Sequence, residues 1–277
     1  MTESFFYGYL TFVVFLFGAC WGSFLNVCIW RIPREESVIH PRSHCPRCNE
    51  LIAWHDNIPL VSYILLRGRC RHCHGRIPPR YAAVELLTGL VFLLSVQPLG
   101  AGLAAMKWCL FGAMMIGLLF SDLEERILPD EITLGGAALG ILLAAVIPME
   151  AGFAQMLLPA SWGARWVSVG ESVLGAALGG GVLWGTGALY AAARHREGLG
   201  LGDVKMLATV GSFLGLQGAL QTLVIGSVLG AVTGLIYIKV THKDYSTYEL
   251  PFGTFLGATA LVLGLLRGPL SCCTIGV

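Results

Sequence analysis

Two aspartates and four cysteines carry the chemistry open to this sequence. Asp122 stands in "GLLFSDLEERILPDEIT" and Asp203 in "GLGLGDVKM", 81 positions further on. A carboxylate at the centre of a membrane helix costs about 2.5–3.5 kcal/mol, so an acid set in apolar sequence calls for a compensating role. Two carboxyls brought together share a proton, because both cannot ionise cheaply, and they titrate as a pair. Such a pair can take a proton from water with one group and protonate a scissile carbonyl with the other. Gly200 and Gly202 would let a peptide backbone approach beside Asp203, and Lys205 completes the expected substrate-binding set. The same two aspartates are also compatible with simple interfacial helix caps. Asp130 follows Pro129 at a helix start and reads as a charge–dipole contact, while Glu124, Glu125 and Glu131 read as a solvated loop.

The cysteines form two C-x-x-C pairs, Cys45/Cys48 and Cys70/Cys73, with 21 residues between them. That is close to zinc-ribbon spacing, and two such turns can aim four thiolates at one tetrahedral Zn²⁺. Disulfides are the competing reading, opposed by a reducing cytoplasm. A redox C-x-x-C is another, opposed by the presence of two matched pairs. His44, His72 and His74 lie near enough to ligate, but four Cys already close the site, and these histidines read as surface residues. Cys20, Cys28 and Cys109 read as small apolar fillers. A stretch of this size has little core of its own, so bound zinc would contribute directly to its folding.

The elements that position these residues are membrane helices. The chain has 277 residues, 55% hydrophobic and 13% charged, with a mean hydropathy of +0.71. Soluble domains carry about 25% charged residues. The sequence therefore predicts an all-α polytopic membrane protein with about eight spans and one small zinc-ribbon-like insert between the first two. The apolar runs lie at about 5–30, 82–97, 103–121, 132–148, 170–193, 204–217, 219–238 and 251–266, the sixth and seventh divided only by "GLQGAL". Three regions follow: the first helix (1–30), the tetracysteine insert (31–80) and the membrane domain bearing the aspartates (81–277). The 36 glycines suit close helix–helix approach in lipid.

Nine of the 18 Lys and Arg residues lie between Arg31 and Arg80, which places the insert in the cytoplasm. Alternation then puts Arg126, Arg194, Arg196, Lys205, Lys239 and Lys243 on the same side, and Lys107, Arg165 and Arg267 outside. Both aspartates face the cytoplasm and both termini face out. The start lacks a basic n-region and its apolar run is long, so it reads as a span rather than a cleaved signal; the lipobox-like "LFGAC" carries little weight without that basic start. The basic face sets topology and can touch anionic lipid; it is too modest to suggest nucleic acid.

These motifs resemble those of the type IV prepilin peptidases, within the G-x-G-D class of intramembrane aspartic proteases. The similarity runs in order through "GSFLNVCIWRIP", "CPRC", "NIPLVSYILLRGRCRHC", "RYAAVE", "DLEERILPDEIT", "GLGLGDVKM" and "PFGTFLGA". The resemblance implies that Asp122 and Asp203 are the catalytic pair. It also implies that the cysteine insert marks the bifunctional bacterial branch, resident in the inner membrane. That branch cuts prepilin or pseudopilin leaders on the cytoplasmic side and then methylates the new N-terminal amine with S-adenosylmethionine. No G-x-G-x-x-G after a strand offers a dinucleotide-type donor site. The insert and its junctions are the expected region, with Gly68 and Arg69 as candidates for methyl transfer. Two departures are visible: Leu128 where the family often has Ile, and Thr254 where it usually has Pro. The rival readings are a non-catalytic zinc-bearing scaffold, a membrane thiol oxidoreductase, and a peptidase without methyl transfer.

Overall fold

The computed structural model describes residues 2–149, 152–159, 161–194, 200–241 and 250–270. Arg196, Lys243 and the first two residues of "GLGLGDVKM" lie outside the described residues. Among the described residues nine α-helices follow one another: α1 (Thr2–Arg31), α2 (Val61–Leu65), α3 (Arg80–Leu99), α4 (Leu103–Glu125), α5 (Asp130–Val146), α6 (Ala154–Leu157), α7 (Ala164–Arg194), α8 (Leu201–Thr241) and α9 (Phe252–Arg267). Among the described residues there is no β-strand, only two isolated bridges, both in the insert.

Among the described residues five helices are long and apolar enough to cross a bilayer. The shorter α5 and α9 have 17 and 16 residues, near the lower limit for a tilted span. The 41 residues of α8 would make a rod of about 60 Å, twice a hydrocarbon core. It is not one rod. Gly215 takes φ 70°, ψ 179° within it, and the face of Gly179 on α7 meets both Leu207 and Ala219. A continuous helix would hold those two residues about 18 Å apart, so the chain reverses at Gly215. The reversal lies inside "GLQGAL", and its two arms correspond to the predicted spans 204–217 and 219–238. With the short α2 and α6 set aside, the described residues then hold eight helical segments, the number the sequence predicts for the spans.

The chain divides into two compact units. One comprises Met1–Gly117 with Gly268–Val277. Here α1 packs on α3, and polar side chains at the end of α1 tie down the insert. The guanidinium of Arg31, 6% exposed, donates to the carbonyls of Ser37 (2.9 Å) and Pro41 (2.7 Å). Asn26 Nδ2 donates to the Tyr81 carbonyl at 3.0 Å. The "NVCIWR" and "RYAAVE" motifs are thus fasteners between membrane and insert.

The other unit, Leu118–Arg267, holds both aspartates. Its core is the α5–α7–α8 packing, with Met206, Leu207, Val210, Phe213 and Leu256 buried. Gly175 on α7 and Gly211 on α8 cross backbone to backbone; a Cβ on either would run into the other helix, which is the small-residue contact expected in lipid. Glu171, 3% exposed, clamps the reversal: its carboxylate accepts from the N–H of Leu216 (3.2 Å) and from that of Ala154 on α6 (2.7 Å). A buried carboxylate is tolerated here because backbone donors satisfy it.

Candidate active site

Asp122 sits in the last turn of α4. Beyond it the helix stops: Arg126 turns to φ 54° while its N–H returns to the Asp122 carbonyl at 3.0 Å. The Ser121 hydroxyl donates to the Ile127 carbonyl at 2.8 Å, folding the loop back. Asp203 sits in the first turn of α8, where the positive end of the helix favours an acid. The Asp203 N–H donates to the Gly200 carbonyl at 3.2 Å. Both carboxyls open on one cavity of about 260 Å³, together with Arg126, Ile127, Leu128, Asp130, Gly200, Gly202 and Lys205. Asp122 is buried and Asp203 partly so.

Asp122 is held from a third helix. At the start of α9 the Thr254 N–H donates to Asp122 Oδ2 at 2.6 Å, and the Thr254 hydroxyl donates to the same oxygen at 2.9 Å. Sequence reasoning noted Thr254 only as a departure from the family's proline. A proline there could supply neither donor. A hydrogen bond to a charged group contributes about 1.5–3 kcal/mol. Thr254→Val, which keeps shape and N–H but loses the hydroxyl, is therefore expected to lower the cleavage kcat about tenfold. Thr254→Ser should retain it, as single-turnover cleavage kinetics would check.

Leu128 packs between Gly202 and Gly253, either of which would press a Cβ onto its side chain. Gly202 is thus required for the approach of Leu128, a duty the sequence does not reveal. Lys205 lines the cavity but is paired: its Nζ donates to both oxygens of Asp130, at 2.7 and 2.8 Å. Asp130 begins α5 as expected, and it also neutralises the cation two residues beyond Asp203.

In the insert the two C-x-x-C turns share one hydrogen-bond pattern. Cys45 N–H donates to the Glu50 carbonyl and Asn49 N–H to that of Cys45; Cys70 N–H donates to Gly75 and His74 N–H to Cys70. Asn49 and His74 take the left-handed conformation that closes each turn, with φ 58° and 54°. The four Sγ atoms lie within 4.8 Å of one another, Cys45 and Cys73 at 3.9 Å. Zn–S bonds of about 2.3 Å in a tetrahedron need S···S edges of about 3.8 Å, so the cluster fits a metal ion of that kind. Burial pushes the Cys45 thiol up, but the N–H groups of Arg47 and Cys48 and the neighbouring thiols outweigh it and bring its pKa to about 7. The same neighbouring thiols push the Cys48 pKa up to about 11, so the cysteines of the cluster titrate as a set and not as independent thiolates. Arg71 grips Asp56 through two bonds of 2.7 and 2.5 Å, and this holds the Asp56 carboxyl below its usual range. Gly68, two residues before the second turn, has φ 64°, and a side chain there would press on the Tyr63 ring; Arg69 beside it is exposed.

Two acids at helix ends opening on one cavity of a polytopic helical membrane protein are the arrangement that a membrane hydrolase of the aspartic kind requires. The bacterial peptidase A24 N-terminal domain matches residues 16–98, and the type IV leader peptidase family matches residues 108–235. The chain is 39% identical over 247 residues to a prepilin leader peptidase/N-methyltransferase of Myxococcus xanthus, covering 88% of this chain and 69% of the relative. It is 34% identical to the protein of that name from Aeromonas salmonicida, covering 92% and 90%, and 34% identical to that from Klebsiella pneumoniae, covering 77% and 89%. No solved structure matches. The chain belongs to the type IV leader peptidase family.

Proposed function

We propose that this protein cleaves the leader from type IV prepilins or pseudopilins at the cytoplasmic face of a bacterial inner membrane and then N-methylates the exposed residue. The observation that carries the proposal is the opening of Asp122 and Asp203, on two different helices, onto one cavity. In that cavity one carboxylate takes a proton from water as it attacks the scissile carbonyl, and the other delivers a proton to the carbonyl oxygen. Thr254 keeps Asp122 in place while this happens. Gly200, Gly202 and Lys205 line the same space, where the backbone around the scissile bond would lie. The lysine and arginine distribution supports a cytoplasmic insert and active site with both termini outside.

Cys45, Cys48, Cys70 and Cys73 would hold a structural Zn²⁺, which closes the insert and supplies no reacting group. S-adenosylmethionine supplies the methyl group. We place contacts to it at the turn of Gly68 and Arg69, where backbone without a side chain lies against Tyr63 and an exposed guanidinium is available to a carboxylate. The test is to incubate the purified protein in lipid with a prepilin, with and without S-adenosylmethionine, and to weigh the products. Leader loss in both samples and a gain of one CH₂ only with the donor is the expected result. No cleavage would leave a non-catalytic scaffold; cleavage without the mass gain would leave a peptidase alone.

Asp130→Asn separates the acids of the loop. Its pair with Lys205 is exposed, and exposed pairs contribute about 0–1 kcal/mol. Cleavage in this variant should stay within several-fold of the parent in the same assay. Complete loss with normal folding would show that the catalytic pair is misassigned.

A further inference from the structure

One motif of the insert is explained neither by the cysteines nor by the aspartates: "NIPLVSYILLRG", residues 57–68. It forms the single-turn helix α2, and α2 turns its aliphatic side chains outward. Ile64 is 71% and Leu65 76% exposed, with Val61 and Ile58 also exposed, while the polar Ser62 is the buried residue of the helix. This is inside out for a segment surrounded by water, where apolar side chains of this size are driven to bury.

The height of α2 along the molecule explains the inversion. The 20 residues of α3 make about 30 Å of helix, the thickness of a hydrocarbon core, so Arg80 and Leu99 must lie near its two boundaries. Glu85 is five residues in, about 7.5 Å past that boundary. Its Oε2 accepts the Leu60 N–H at 2.8 Å. Because helix side chains lean toward the helix N-terminus, the residue that starts α2 is held between that boundary and the depth of Glu85, the zone in which interfacial helices lie. The bond also holds Leu60 in a conformation unusual for a branched residue, φ 60°.

The backbone meets the demand of that environment, where unpaired polar groups are costly. The carbonyls of Ile58, Pro59, Leu60, Ser62, Tyr63 and Ile64 all accept N–H groups from within 61–68. Ser62 Oγ accepts the Ile58 N–H at 3.1 Å and donates to the His55 carbonyl at 2.9 Å, so the hydroxyl is satisfied inside the turn. Arg67 and Arg69 follow, both exposed, as expected of cations that meet lipid phosphates.

We propose that α2 is an interfacial anchor: Ile58, Val61, Ile64 and Leu65 lie among the lipid acyl chains of the leaflet on the insert's side. The occupant is lipid because Glu85, on a membrane helix, holds the start of α2 at that boundary. The anchor sets the zinc module against the membrane surface and places Gly68 and Arg69 at the headgroup level.

The test uses the unmodified protein in nanodiscs of phosphatidylethanolamine and phosphatidylglycerol containing a lipid with a diazirine in its upper acyl chain. After irradiation and trypsin digestion, the peptide between Arg47 and Arg67 is sequenced by mass spectrometry. Adducts on Val61–Leu65, unchanged by added prepilin and reduced to background in Ile64→Asn/Leu65→Asn protein that retains its metal, are the expected result. Adducts confined to peptides of the membrane helices would overturn the proposal. Displacement of the adducts by prepilin would assign the face to substrate instead, and dependence on protein density in the nanodisc would assign it to a second copy.

Discussion

Asp122→Asn and Asp203→Asn are each expected to abolish leader cleavage, while the protein should still insert and its four thiols still bind metal. The substitution keeps size and shape, so no cavity opens near Leu128, and the amide can still meet the donors of Thr254. What it removes is proton transfer, and loss of one general acid or base costs about 10²–10⁴-fold. The two variants should be about equally defective, since a shared proton makes the carboxyls one catalytic unit whose losses are not additive. The double variant should therefore be little worse than either single one. The measurement is single-turnover cleavage of a prepilin in nanodiscs, with zinc content and thermal unfolding as controls. Substantial activity in either variant, with both controls normal, would refute the dyad.

Much of this site is legible in the sequence because its signals are local. The C-x-x-C pairs announce a tetrahedral cluster by spacing alone, and the structure brings Cys45, Cys48, Cys70 and Cys73 together as expected. Asp122 and Asp203 are conspicuous as acids in apolar surroundings, and alternation of spans places both on one side. What the sequence hides is long-range. Thr254 lies 132 positions from the carboxylate it holds. Asp130 looks like a helix-start residue, and it is one, but nothing local shows that it also neutralises Lys205, 75 positions away. Glu171 passes as one polar residue in a predicted span, yet it fastens the reversal of α8 from 45 positions away. That reversal itself rests on one φ angle at Gly215, and the sequence marks it only by the short break "GLQGAL" in an otherwise apolar stretch. Proton acceptors and metal ligands announce themselves by residue type; the groups that aim them are ordinary residues identified only by contact.

Cys70→Ser should lose methyl transfer far more than cleavage. The starting point is that the dyad is fastened within its own compact unit, by Thr254 on α9 and by Leu128 between two glycines. The cysteine cluster belongs to the other unit. One zinc per chain is expected, bound as thiolates, and a site left with three ligands and a serine holds structural zinc less well. Metal binding is coupled to folding, so the consequence is local loosening. Cys70 opens the second turn directly after Gly68 and Arg69, and its N–H closes that turn on Gly75. The residues proposed to meet the methyl donor are thus the first to lose their support. Arg31, Asn26 and Glu85 still fasten the ends of the insert, so the membrane helices should stay packed. A paired assay on one prepilin, scoring leader removal by gel and the added CH₂ by mass, should show methylation near background and cleavage within several-fold of the parent. Equal loss of both activities in a variant with unchanged helical content would mean that the metal-held insert forms part of the peptidase site.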